Sequence, residues 1–163
     1  MRTFSGKSAA LLVAIVIAAV SGSAQLAEKK ALPLSVAKQI AAAAEAEAAT
    51  NKFTMVIAIV DDGGNLIYLE RMDEAQLGSI QVAEGKAHTA LFFKRPTKAL
   101  EDAVAGGRNN LMTLPNAVMV EGGIPLMADG KIIGAIGVSG GMSPQDGIVA
   151  KAGADAFTKM MGH

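Results

Sequence analysis

Apolar positions change their spacing repeatedly along this chain, and each change marks an element. From Ser35 to about Thr50, Val36, Ile40, Ala44 and Ala48 recur at helical spacing while Lys38, Glu45 and Glu47 lie mostly elsewhere. This predicts an amphipathic helix whose start Pro33 limits and Ser35 caps. The alanine run Ala41 to Ala44 needs only helix propensity to explain it. Met55 to Val60 and Leu66 to Leu69 are continuous apolar runs separated by Asp61-Asp62-Gly63-Gly64-Asn65, the pattern of a hairpin with a loop longer than the minimum. Aspartates in such a loop commonly bond their own backbone, which argues against a paired-carboxylate acid–base site there. Helical spacing returns from Leu77 to Phe93 through Ile80, Ala83, Ala87 and Ala90 or Leu91, until Pro96 stops it. Thr97 caps a short helix from Lys98 to about Ala105, and Gly106-Gly107 and Asn109-Asn110 then break the periodicity.

Val118 to Val120 predicts a short strand. Ile124 to Ala128 and Ile132 to Val138 are two more, joined by Asp129-Gly130 in a two-residue turn with both central residues at positive φ. Ser139-Gly140-Gly141 then turns the backbone sharply, and Ser143-Pro144-Gln145-Asp146 reads as N-cap, first-turn proline and acidic first turn of a helix reaching about Met160. Free amides behind such a glycine loop cradle a carboxylate or phosphate, or simply complete a cap. Neither a Gly-x-Gly-x-x-Gly run nor a Gly-Lys-Ser/Thr phosphate loop is present. Five strands arriving as hairpins, with three or four helices, predict an α+β sandwich with an antiparallel sheet and helices on its faces.

At the N-terminus, Arg2 and Lys7 precede an uncharged run from Ser8 to Val20, and Ser21-Gly22-Ser23-Ala24 places small residues at the cleavage-determining positions. Residues 1–24 therefore read as a secretory signal peptide cut after Ala24, and residues 25–163 as one periplasmic or secreted domain. The apolar run is shorter than the roughly 20 residues of a membrane span, so no stable membrane anchor is expected. No cysteine is present, which excludes a disulfide framework and thiolate metal sites. Without residues 1–24 the chain carries thirteen basic and fifteen acidic groups, a net charge of −2 that provides no nucleic-acid footprint. Scarce aromatics and abundant alanine predict closely approaching helices.

Three motifs carry a family resemblance over about Leu32 to Met161. They are Ile57-Ala-Ile-Val-Asp-Asp-Gly-Gly-Asn-Leu66 followed by Arg71-Met72-Asp73; Lys86-Ala-His-Thr-Ala90 with Phe93 and Arg95-Pro96-Thr97; and Gly122-Gly-Ile-Pro125 through Gly134-Ala-Ile-Gly-Val-Ser-Gly-Gly141 to Gln145-Asp146. In these the chain resembles the small haem-binding proteins of the HbpS and GlcG type, whose domain is also similar to the C-terminal module of PduO adenosyltransferases. The resemblance implies a profilin-like α/β/α sandwich with a five-stranded antiparallel sheet, self-association into a homo-oligomer, and haem as cofactor or cargo. With the export signal it leads to the expectation of an exported haem-binding protein that sequesters, senses or transfers haem, with a haem-degrading or small organic acid-processing enzyme, or an accessory protein to an oxidoreductase, as alternatives. One departure is Pro115-Asn116, where related chains often read Pro-Gly; asparagine tolerates the same left-handed turn.

Haem iron takes an imidazole, thioether, phenolate or thiolate, and this chain offers two histidines, one tyrosine and no cysteine. His88 is the leading candidate ligand, one helical turn beyond Glu84 and one before Phe92, so that a carboxylate to orient the imidazole and an aromatic to pack on a porphyrin share its face. His163 ends the chain, Tyr68 reads as a packing residue within a strand, and Met72 and Met142 are weaker axial candidates. Arg71, Lys86 and Arg95 are candidates to pair with propionates, or, for Arg71 and Lys86, to form structural ion pairs with Asp73 and Asp146. Gly140 and Gly141 complete the candidate set as backbone of a ligand loop. No histidine pair at metal spacing and no nucleophile elbow supports a hydrolase.

Overall fold

The computed structural model describes residues 29–162, so the expected signal peptide and His163 lie outside the described residues. In chain order the elements are helix α1 (Leu34–Thr50), strands β1 (Val56–Asp61) and β2 (Leu66–Arg71), helices α2 (Ser79–Phe92) and α3 (Thr97–Ala105), a 3-10 segment (Asn109–Thr113), strands β3 (Gly123–Ala128) and β4 (Lys131–Ser139), and helix α4 (Ser143–Met160). Among the described residues no helix is long and apolar enough to cross a membrane.

All strand pairs are antiparallel, in the order β2-β1-β4-β3. The α+β class holds, with four strands where five were expected. Val118 to Val120 is the strand that does not form, because its neighbourhood finds helix side chains before it finds a sheet edge. Val118 N–H donates to Thr89 Oγ1 at 2.8 Å, Glu121 N–H to the Glu101 carboxylate, and Gly123 N–H to Thr97 Oγ1 at 2.9 Å. The backbone groups are satisfied either way.

Strand β1 is continuously apolar because both of its faces are covered. Ile57 and Ile59 join Ile136 and Val138 of β4 against Ile40, Val149 and Phe157 of α1 and α4. Val56, Ala58 and Val60 turn the other way, toward Ala83, Ala87 and Ala90 of α2. Each large side chain so buried contributes about 1.5–3 kcal/mol. Small residues set how close the layers come: a Cβ at Gly137 would lie 2.0 Å from the Ala83 carbonyl oxygen and 2.5 Å from the Ala87 nitrogen, so α2 rests directly on the backbone of β4.

The two hairpins close at one end of the sheet. Asp129 and Gly130 have φ of 49° and 73°, the pair of left-handed residues expected between β3 and β4. At the opposite end, α4 begins one residue earlier than its sequence pattern suggests, with Met142 rather than Ser143 as the cap residue. Likewise α1 starts behind Pro33, without a side-chain cap from Ser35.

Candidate functional site

The candidate residues fall at opposite ends of the sheet. Arg71 ends β2, paired with Val56, which in turn pairs with Ser139 of β4, so Arg71 shares the Gly140 end. His88 lies against the β1–β2 turn at the other end. The length of β2, about 17 Å, separates them. Arg71 donates from Nη1 to the Ala75 carbonyl at 2.9 Å, a loop contact rather than the ion pair with Asp73 considered from sequence.

The Gly140 end is closed. Lys86 is 1% exposed and its ammonium donates to Asp146 Oδ2 at 2.6 Å and to the Val138 carbonyl at 3.0 Å. The other Asp146 oxygen accepts the Gly141 N–H at 3.0 Å, and Gln145 Oε1 accepts the Met142 N–H at 2.8 Å. The anion cradled by this glycine loop is therefore the chain's own aspartate. Burial raises the Asp146 carboxyl above the ordinary aspartate range, against the lowering pull of Lys86 and of the glycine amides. Gly140 has no room for a side chain, since a Cβ would sit 2.2 Å from the Thr54 carbonyl oxygen. Among the described residues no buried side-chain nitrogen or oxygen lacks a partner. Lys86, Gly140 and Gly141 thus serve the fold, and Lys86 does not reach a surface ligand.

The opposite end is open. Asp61 Oδ1 accepts the N–H groups of Gly63 and Asn65, both at 2.8 Å, and Asn65 Nδ2 donates to Asp61 Oδ2 at 3.0 Å. These bonds, led by the Asn65 side chain, hold the Asp61 carboxyl below its usual range. They also fix Gly64 at φ 84°, which aims its carbonyl at α2. His88 Nε2 lies 2.7 Å from that oxygen. A carbonyl only accepts, so Nε2 carries a proton and donates it, and Nδ1 stands outside this bond. The imidazole stacks on Phe92 with centroids 5.6 Å apart and planes 6° from parallel. Phe92 is 60% exposed, an uncommon placement for a large aromatic in a chain with so few. The fit is close: a Cβ on Gly64 would come within 2.8 Å of Phe92 Cζ.

Donating one ring nitrogen to a backbone carbonyl is the usual way a metal-binding histidine is oriented and its tautomer fixed. The expected orienting group was Glu84; the Gly64 carbonyl takes that place. Helical spacing alone does not point to Gly64, which stands 24 positions from His88. Its signal was the Asp-Asp-Gly-Gly-Asn turn, legible as a turn but not as a neighbour of α2.

Residues 32–155 match the family model described as haem degrading protein HbpS-like. The chain belongs to the HbpS-like family. Protein GlcG of Escherichia coli K12 is 42% identical over 111 residues, covering 68% of this chain and 83% of GlcG. The crystal structure of HbpS superposes with a TM-score of 0.76 at 32% identity, covering 86% of this chain and 97% of HbpS. That of a PduOC:haem complex superposes with a TM-score of 0.71 at 33% identity, covering 78% and 95% of the two chains.

In this HbpS-like chain Tyr68 is turned away from His88. Its ring packs against the core shared by α1 and α4, and its hydroxyl donates to Glu70 Oε2 at 2.7 Å. That bond pushes the phenol up to about 12. Met72 packs against the same core, whereas Met142 is 73% exposed beside the closed loop. Among the named iron-donor side chains in the described residues, His88 alone combines the Gly64 carbonyl contact with a stacked, exposed aromatic.

Proposed function

We propose that this protein is exported and binds haem at the open end of α2, with His88 as axial ligand. The carrying observation is the His88 Nε2–Gly64 carbonyl bond, which engages one ring nitrogen and leaves Nδ1 outside the bond, with the exposed Phe92 ring stacked beside it. Haem supplies, when bound, an iron centre that takes axial donors. The residues fit that demand: Gly64 orients the imidazole, Nδ1 is the remaining donor, and Phe92 offers apolar area to a porphyrin face. The similarity to the PduOC:haem complex supports the same ligand class. Export rests on Arg2, Lys7, the apolar run to Val20 and the small residues up to Ala24. Assembly as a homo-oligomer belongs to the same reading, and sedimentation of the purified chain tests it.

Hemin titration is the test of the binding reading. A saturable Soret shift is expected in the wild type and not in His88→Ala; a wild type without the shift ends the haem reading, and an unchanged shift in His88→Ala removes this residue from it. The family description favours a second reading in which haem is consumed. Loss of the haem spectrum with peroxide, and iron release over many turnovers, separates that case from sequestration or transfer.

A further inference from the structure

On the other side of α2 from His88, a cleft of about 720 Å³ opens between the end of this helix and the outer part of the β3–β4 hairpin. Its apolar lining includes Ile124, Pro125 and Ile132, and its charged lining is Lys94, Arg95 and Lys131. Among the described residues no acidic side chain lines it. None of the three cations takes part in an ion pair among the described residues. Arg95 uses Nε on the Phe93 carbonyl at 3.0 Å, which leaves its two terminal amino groups for a bidentate carboxylate.

Lys94 holds an informative backbone position. The Arg95 N–H reaches the Ala90 carbonyl at 3.2 Å and the Lys94 N–H the Leu91 carbonyl at 3.3 Å, so α2 closes with Lys94 left-handed at φ 54°. Glycine suits that position best. A lysine there is strained, and Lys94 is one of the residues that line the cleft. Pro125 gives the β3 edge a residue without an N–H, which opposes strand addition by a protein partner and leaves the cleft to a small molecule.

We propose that this cleft binds a small amphipathic carboxylate, its acid group received by Arg95, Lys94 and Lys131 and its apolar body by Ile124, Pro125 and Ile132. The volume lies within the roughly 300–1,000 Å³ of small-molecule sites. The site is separate from the proposed haem position, since β1 and β4 lie between the β2 and β3 edges. Failure of one reading therefore leaves the other standing.

The test is a heteronuclear NMR titration of the purified chain with octanoate and, as the charge-inverted body, octylammonium. Octanoate is expected to shift the amides of Arg95, Ile124 and Ile132 saturably, while octylammonium leaves them in place. Arg95→Glu should weaken octanoate roughly tenfold or more, the loss of a charge-assisted pair. Lys94→Gly should weaken it several-fold with the melting temperature unchanged or raised. Equal binding of both probes, shifts confined to other surfaces, or full affinity in Lys94→Gly would overturn the proposal. So would a silent titration with Arg95→Glu dissociating an oligomer, which would make this face a contact between copies.

Discussion

The two ends of the sheet are built from similar parts and put them to opposite uses. At each, a glycine pair turns the chain, an aspartate gathers the turn's amides, and a polar side chain of α2 reaches the backbone beside it. At Gly140–Gly141 the aspartate is Asp146, which also takes Lys86, and the circuit closes inside the protein. At Gly63–Gly64 the aspartate is Asp61, the partner is His88, and the bond to Gly64 uses only one of the two ring nitrogens. Glycine loops and charge therefore do not by themselves mark a ligand site. What distinguishes the His88 end is a donor left over after the fold is satisfied, next to an exposed aromatic.

Breaking the closed end should cost most. Lys86→Ala leaves a buried carboxylate without its cation, and urea unfolding should show a loss of about 3–5 kcal/mol. Hemin affinity per folded molecule should stay the same. Lys86→Met combined with Asp146→Leu should recover most of the loss, since neither charge remains.

The open end should respond in the reverse proportion, with modest stability effects and large binding effects. Gly64→Ala places a Cβ against Phe92 at a left-handed residue, so about 1–2 kcal/mol should be lost, together with weakened hemin binding. His88→Ala removes one hydrogen bond, worth about 1 kcal/mol in unfolding, yet should abolish the Soret shift.

The smallest effect is spectroscopic and lies on the face turned away from both ends. Tyr68 is the one tyrosine and there is no tryptophan, so near-ultraviolet absorbance reports its ionisation directly. The folded phenol holds its proton up to about 12, above the unfolded value of about 10. Its contribution to stability is thus complete below pH 10 and is lost as pH rises from about 10 to 12. Glu70→Gln should bring the phenolate transition back toward 10 by removing the first cause of the shift.

Periodicity and turn chemistry carried most of the fold into view. Both hairpins, the α2 stop at Pro96 and the left-handed Asp129-Gly130 pair follow from local residue types. Val118 to Val120 did not, because three apolar residues suit a strand while the hydroxyl of Thr89, 29 positions away, claims the amide of Val118. His88 and Phe92 were legible together, since residues four apart share a helix face. Their link to Gly64 joins elements distant in sequence, and so did not show. The Lys86–Asp146 pair was foreseen as one of two alternatives, but only burial separates a structural lysine from a surface one.

In the proposed function, haem meets the His88 end and leaves the Lys86 end untouched. Amide shifts on adding gallium protoporphyrin, a diamagnetic stand-in for haem, test this most directly. Perturbation centred on Gly63, Gly64, His88 and Phe92 is the predicted result; perturbation centred on Arg71, Gly140 and Gly141, with the turn at Gly64 silent, would contradict it.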